Sequence, residues 1–284
     1  MPGMTPREPL ETSRGPNPLL ARLRAGEPVL ALGVRSSRTP EVARLARATG
    51  HHAIWVDLEH SAMPVDTAAQ ICAAATDLGL AAFARVPERE YGVIGRLLDG
   101  GATGIIAPRV ETAEQAADLV AACRFPPAGH RSAVATLPQV GYRRLPAAEL
   151  NEAMNRATTV KVLVESPLGI ENIGAIARVP GIDIVGIGTN DLCAELGVPG
   201  DFRHPRVREA HERVLAACAE AGTLLMIGGI ADAAYGAELI RRGAAPFLMT
   251  GIDTDVLLAA LHERARQALG AVAAGVAGAG HAAA

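Results

Sequence analysis

Short apolar runs rich in Val, Ile and Leu alternate along the chain with Ala-rich stretches whose apolar positions recur every three to four residues. The first kind suits a strand buried on both faces, the second an amphipathic helix laid against it. The strand candidates are 28–34, 52–58, 80–86, 104–110, 159–165, 183–188, 223–229 and 246–251. Between them lie stretches such as TPEVARLARATG, VDTAAQICAAATDLG, ETAEQAADLVAACR and PRVREAHERVLAACAEAG, several closed by Gly, a common helix C-terminal signal. This alternation implies α/β architecture: a parallel sheet closed into a (β/α)8 TIM barrel. An open doubly wound sheet is the alternative, but ALGVRSSRTP, after the first strand, lacks the GxGxxG spacing of a phosphate turn.

Composition sharpens this picture. Hydrophobic residues make up 49% of the 284 but aromatics only 3%, so Ala, Val, Leu and Ile must fill the core. The barrel is expected over 17–269, after a flexible extension (1–16) and before a frayed Ala/Gly tail (270–284). A long insertion from Arg124 to about Asn155, between the fourth and fifth strands, is expected to cover the top of the site. The net charge of −3 and the lack of a basic stripe argue against nucleic acid as a partner. No apolar run approaches the roughly 18 residues that span a bilayer, and the start lacks the core of a signal peptide. Cys72, Cys123, Cys193 and Cys218 form no CxxC and read as buried, reduced thiols of a cytoplasmic protein.

Barrel chemistry belongs at the C-terminal ends of strands. There the chain places Asp57, Glu59 and His60, then Arg85, Arg109, Glu165 and the run Thr189-Asn190-Asp191. Glu165 and Asp191, on adjacent strands, would repel each other unless a hard divalent cation lay between them. The other reading is that they cap the following helices. His60 beside Asp57 and Glu59 suits a general base whose tautomer a carboxylate fixes, or else a helix-start histidine without a role. Arg85 can hold a carboxylate or a developing enolate oxygen. Arg109 can do the same or pair with Glu111. Asp99 falls at the bottom of the barrel, so within one subunit it reads as structural. His204, His211, His262 and His281 read as solvated. Lys161 is the only lysine, and it lies inside the fifth strand short of the rim, which disfavours Schiff-base catalysis.

The chain resembles the HpcH/HpaI family of class II 2-oxo acid aldolases. The likeness runs from about 17 to 257 and is carried by WVDLEHS (55–61), FARVPE (83–88), LLDGGATGIIAPRVETAEQA (97–116), RFPPAGHRS (124–132), VLVESPLGIENI (162–173) and GIGTNDLCAELG (186–197). The resemblance implies a hexamer whose C-terminal helix is exchanged between neighbouring subunits. It implies Mg²⁺, Mn²⁺ or Co²⁺ held by Glu165 and Asp191, Arg85 on the 2-oxo or enolate oxygen, and His60, supported by Asp57, in proton transfer. It also implies that Asp99 reaches the site of a neighbouring subunit. Backbone N–H groups around Gly188, Thr189 and Asn190 would receive the substrate carboxylate.

Many members carry Gln two residues before the metal-binding Glu, where this chain has Leu163. That departure keeps a second reading open beside cleavage of a 4-hydroxy-2-oxo acid into pyruvate and an aldehyde: an oxaloacetate decarboxylase or carbon–carbon condensing enzyme, citrate-synthase-like or macrophomate-synthase-like. A non-catalytic metabolite-binding relative would not need His60, Arg85, Glu165 and Asp191 together. An acyl-CoA enzyme would want a basic groove, for which only Arg143-Arg144 offers a cluster.

Overall fold

The computed structural model describes residues 17–230 and 232–281; the expected extension at 1–16 lies outside them. All the strand candidates form; most are one or two residues shorter than the apolar runs, β4 is three shorter, and β8 keeps its length shifted by one residue. The order is α1 (Pro18–Arg24), β1 (Val29–Val34), α2 (Glu41–Ala48), β2 (Ala53–Asp57), α3 (Val65–Asp77), β3 (Ala81–Arg85), α4 (Ile94–Asp99), β4 (Gly104–Ala107), α5 (Ala113–Cys123), α6 (Ala147–Ala157), β5 (Thr159–Val164), α7 (Pro167–Glu171), α8 (Ile173–Ala177), β6 (Ile184–Gly188), α9 (Thr189–Glu195), α10 (Pro205–Ala221), β7 (Leu224–Gly228), α11 (Ala233–Arg241), β8 (Phe247–Ile252) and α12 (Asp253–His281).

Every paired strand is parallel, in the order β7-β6-β5-β4-β3-β2-β1-β8. The ring closes between β7 and β8, where the Ala245 N–H donates to the Leu225 carbonyl at 2.7 Å. Two apolar layers follow from the alternation of side chains along the strands. Outward residues such as Ile54, Ile105, Val162 and Val185 pack under the helices. Inward residues, among them Ala31, Ala53, Phe83, Ile106 and Met226, fill the barrel, which Leu19, Leu20 and Leu23 of α1 plug from below.

Three expectations change here. The insertion follows α5, not β4, so it returns along the bottom of the barrel rather than over the site. It builds its own apolar cluster from Phe125, Leu137, Val140, Leu150 and Met154. Gln139 ties it to the Leu98 and Ala102 carbonyls at 2.6 and 3.0 Å. The Ala/Gly segment from Gly270, expected to fray, continues helix α12 as far as His281. Finally, His211 is fully buried rather than solvated.

Helix α12 is anchored at its start. The Asp253 carboxylate accepts the N–H groups of Arg35 (2.9 Å), Ser36 (3.1 Å) and Ser37 (2.7 Å), clamping the loop after β1. Beyond this clamp, Leu257, Leu258, Leu261 and Leu269 are exposed.

Candidate active site

The parallel register sets Asp57, the last residue of β2, directly beside Arg85, the last of β3. A two-pronged ion pair results: Arg85 Nε donates to Asp57 Oδ1 at 3.0 Å and Nη2 to Oδ2 at 2.6 Å. Asp57 is only 1% exposed. Burial alone would push its carboxyl up, but the hydrogen bonds and charge of Arg85 outweigh this and hold it below the usual carboxylate range. The remaining Arg85 nitrogen, Nη1, lies 2.8 Å from Glu59 Oε2. Burial raises the Glu59 carboxyl despite that cation. Arg35, which the sequence reading did not single out, adds a second guanidinium 3.4 Å from Asp57 Oδ2.

His60 stands at the mouth with its side chain 53% exposed, its Nε2 lying 3.7 Å from Glu59 Oε2. Asp57 does not touch the imidazole. Its Oδ1 accepts the backbone N–H of His60 at 3.1 Å, so its support acts through the loop, while its charge serves Arg85.

Glu165 follows β5 and Asp191 lies in the first turn of α9. The capping alternative does not hold for either: Gly188 is the N-cap of α9 with no side-chain cap, and Ser166 rather than Glu165 caps α7. Burial, then the Asp191 carboxyl beside it, pushes Glu165 well above the usual carboxylate range. Glu165 Oε1 is buried without a hydrogen-bond partner. A buried, unpartnered carboxylate oxygen beside a second acid is a donor suited to a hard divalent ion. Among the described residues no third His, Cys, Asp or Glu joins the pair as a ready-made cluster, which leaves room for small oxygen ligands.

Gly188 lets this happen. A Cβ there would lie 2.6 Å from Glu165 Cγ and 2.8 Å from its Cδ, so any side chain would push the carboxylate aside. Gly188→Ala is therefore expected to lower kcat/KM about 10–100-fold, the range typical of residues that orient a ligand, with little change in melting temperature. Steady-state kinetics beside a thermal melt would check this, and unchanged kinetics would refute the steric account.

Thr189 opens α9 and is held from behind. His211 Nε2 lies 3.2 Å from Thr189 Oγ1, and its Nδ1 lies 2.9 Å from the Tyr235 hydroxyl. Burial lowers the His211 imidazole from 6.5 to about 4. The unfolded chain takes up this proton near pH 6.5 and the folded one only near pH 4. The stability contributed is thus complete above pH 6.5 and lost as pH falls toward 4. At about 1.4 kcal/mol per pH unit the loss amounts to about 3 kcal/mol. Urea unfolding from pH 7 to pH 4 should show this slope, and His211→Gln should flatten it.

These groups meet in one cavity of about 520 Å³ at the C-terminal mouth of the barrel. Arg85, His60, Glu165, Asp191, Asn190 and Gly188 line it, with Leu163 as an apolar wall, and it reaches down to Trp55 and Lys161. The fifth-strand lysine is thus closer to the site than its place short of the rim suggested. Asp99 is not brought there. It closes α4 at the opposite end and pairs with Arg131 of the insertion at 2.7 Å. Arg109 also turns away, pairing with Glu195 and not with Glu111.

Residues 35–260 match the model of the HpcH/HpaI aldolase/citrate lyase family. The chain belongs to that family. As a member it is a carbon–carbon lyase. It is 39% identical to a 4-hydroxy-4-methyl-2-oxoglutarate aldolase of Hapsidospora irregularis, over 75% of this chain and 80% of that one. It is 33% identical to a 2-keto-3-deoxy-L-rhamnonate aldolase of Salmonella gallinarum, over 87% and 91%. Among solved structures, an HpcH/HpaI aldolase from Desulfitobacterium hafniense superposes with a TM-score of 0.81 at 28% identity, covering 88% of this chain and 95% of that one.

Proposed function

We propose that the chain is a metal-dependent aldolase that splits or joins the bond between a pyruvate enolate and a carbonyl acceptor in a 4-hydroxy-2-oxo acid. The observation that carries this reading is the placement of a doubly paired Arg85 and the Glu165–Asp191 carboxylates on one cavity. Glu165 and Asp191 would hold Mg²⁺, Mn²⁺ or Co²⁺, which when bound supplies Lewis acidity toward the 2-oxo acid.

The chain's own residues do the rest. The Asp57 pairing fixes the Arg85 guanidinium, so that its N–H groups meet the 2-oxo oxygen as it gains enolate charge. His60, at the exposed mouth, takes the proton of the 4-hydroxyl as the C3–C4 bond breaks and returns one in the reverse direction. The N–H groups that open α9, around Gly188, Thr189 and Asn190, receive the carboxylate, and the His211 contact holds that turn in place. Leu163 offers an apolar surface where many relatives offer an amide, which favours acceptors that need no hydrogen bond there.

The exposed leucines of α12 support a homo-oligomer in which this helix packs on a neighbouring subunit; the resemblance to the family adds a hexamer that would bring Asp99 of one chain toward the site of the next. Leu257→Glu together with Leu261→Glu should yield smaller species in sedimentation velocity, and an unchanged particle would count against the helix as the interface. No helix among the described residues is long and apolar enough to cross a membrane. Four buried, unpaired cysteines support a reducing, cytoplasmic setting.

The deciding experiment follows pyruvate formation by metal-stripped protein after Mg²⁺, Mn²⁺ or Co²⁺ is returned, over a panel of 4-hydroxy-2-oxo acids and oxaloacetate. Metal-restored release from a hydroxy-oxo acid supports the aldolase. Turnover of oxaloacetate alone would replace it with the decarboxylating or condensing reading, for which Leu163 is the distinguishing residue.

A further inference from the structure

Arg35 follows β1 and lines the mouth cavity across the ring from Glu165 and Asp191. Around the barrel the route from it to them runs β1-β2-β3-β4-β5 one way and β1-β8-β7-β6 the other. Its backbone is fixed, because the Asp253 carboxylate holds the N–H groups of Arg35, Ser36 and Ser37.

The guanidinium is less well provided for. Asp57 is its one ion-pair partner among the described residues, and that carboxylate is already filled. A carboxylate presents about four lone-pair positions. Arg85 takes two on Asp57, at 3.0 and 2.6 Å, and the backbone N–H groups of Glu59 and His60 take two more, both at 3.1 Å. Arg35 Nε and Nη2 are left to share Oδ2, each at 3.4 Å. A charge-assisted N–H···O bond is normally about 2.7–2.9 Å. Asp255, on the same cavity, makes no ion pair with Arg35. Two guanidiniums thus serve one buried carboxylate, and the second keeps a charge it cannot shed. With its side chain 34% exposed on the cavity, it is suited to a planar anion gripped by two prongs.

We propose that Arg35 is a specificity-determining residue that binds a second carboxylate, at the end of the substrate remote from the 2-oxo group, so that the cavity selects dicarboxylic over monocarboxylic 2-oxo acids. The inference rests on the reading that the 2-oxo group lies at Glu165 and Asp191. Met226, Met249 and Ile252, apolar side chains on the same cavity, suit the methylenes that join two acidic ends. Little is lost when the guanidinium turns to such a ligand, since Asp57 keeps Arg85.

The test needs no turnover. Isothermal titration of the Mg²⁺-loaded, full-length protein compares 2-oxopentanedioate with 2-oxopentanoate and 2-oxohexanedioate with 2-oxohexanoate. Each pair differs only in the terminal carboxylate, and the two lengths probe the reach. In the wild type at least one diacid should bind about 10–100-fold more tightly than its partner, the range expected for hydrogen bonds to a charged group. Arg35→Gln should collapse that ratio toward one, and Arg35→Lys should restore part of it. Equal affinities in the wild type, or a ratio unchanged in Arg35→Gln while both affinities fall, would overturn the proposal and leave Arg35 a prop for Asp57. Selectivity lost in Arg35→Gln, with no metal-restored pyruvate release from any 4-hydroxy-2-oxo acid, would keep the carboxylate site and remove the aldolase. Pyruvate release without diacid selectivity would do the reverse, and a wild type that binds none of the four acids would overturn both.

Discussion

Arg85→Ala is expected to lower kcat/KM for pyruvate release about 10²–10³-fold, the loss typical of removing one pre-positioned donor to a developing oxyanion. The effect should fall mainly on kcat, because the charge on the 2-oxo oxygen grows only as the C–C bond breaks. The substitution also acts on the fold. Asp57, buried at the end of β2, loses both hydrogen bonds from its cation and keeps the backbone N–H groups of Glu59 and His60 and, as its remaining cation, Arg35 at 3.4 Å. Stripping one partner from a buried ion pair costs about 3 kcal/mol or more, so the melting temperature should drop as well. Arg85→Lys separates the two effects: it keeps a charge beside Asp57 but cannot present a two-pronged fork, so stability should recover further than activity. Activity within tenfold of the wild type in Arg85→Ala, measured on correctly folded protein, would remove Arg85 from the reaction.

Glu165→Gln should have an effect of similar size by a different route. The amide keeps the shape of the side chain but not its charge. Losing one of two carboxylates at a Lewis-acid centre worth several kcal/mol lowers the rate about a thousandfold. Stability moves the other way. In the metal-free protein Glu165 holds a proton more tightly than the unfolded chain does. Its contribution is therefore fully present below the ordinary value of 4.5 and is lost as pH rises through the raised one. At pH 8 the metal-free wild type carries two facing carboxylates and should melt below Glu165→Gln. Added Mg²⁺ or Mn²⁺ should raise the melting temperature of the wild type and leave the variant nearly unmoved. A variant stabilised by metal as strongly as the wild type would show that the ion is held elsewhere.

Much of the barrel was legible because buried parallel strands read as unbroken apolar runs, and the residue ending each run marks the mouth. Asp57, Arg85, Glu165 and Asp191 were placed at that end this way, from position and charge, and there the structure has them. What stayed hidden depends on which end of the barrel a connection reaches. The 124–155 insertion looked like a cover because of its length. It follows a helix rather than a strand, and the chain emerging from α5 is already at the bottom. His211 was misread because α10 is largely polar, and nothing local to HERVL says that Thr189 and Tyr235 will close over the imidazole. The partner of Asp57 was missed for a related reason: His60 is near in sequence, while Arg85 is near only once β2 and β3 are in register. Lys161 was seen, but the depth of the cavity was not, since that depth is set by small inward residues on other strands.

The closing contact between β7 and β8 is the lightest joint of the barrel. The other neighbouring strands are joined by ladders, with one register shift between β1 and β8, but β7 and β8 meet through the Ala245–Leu225 hydrogen bond. The cavity wall crosses this line, with Met226, Gly228 and Gly229 on one lip and Met249 and Gly251 on the other. The ring is thus held most lightly at one seam, and that seam forms part of the cavity wall. Amide hydrogens along this seam should exchange ahead of those on β2 and β3.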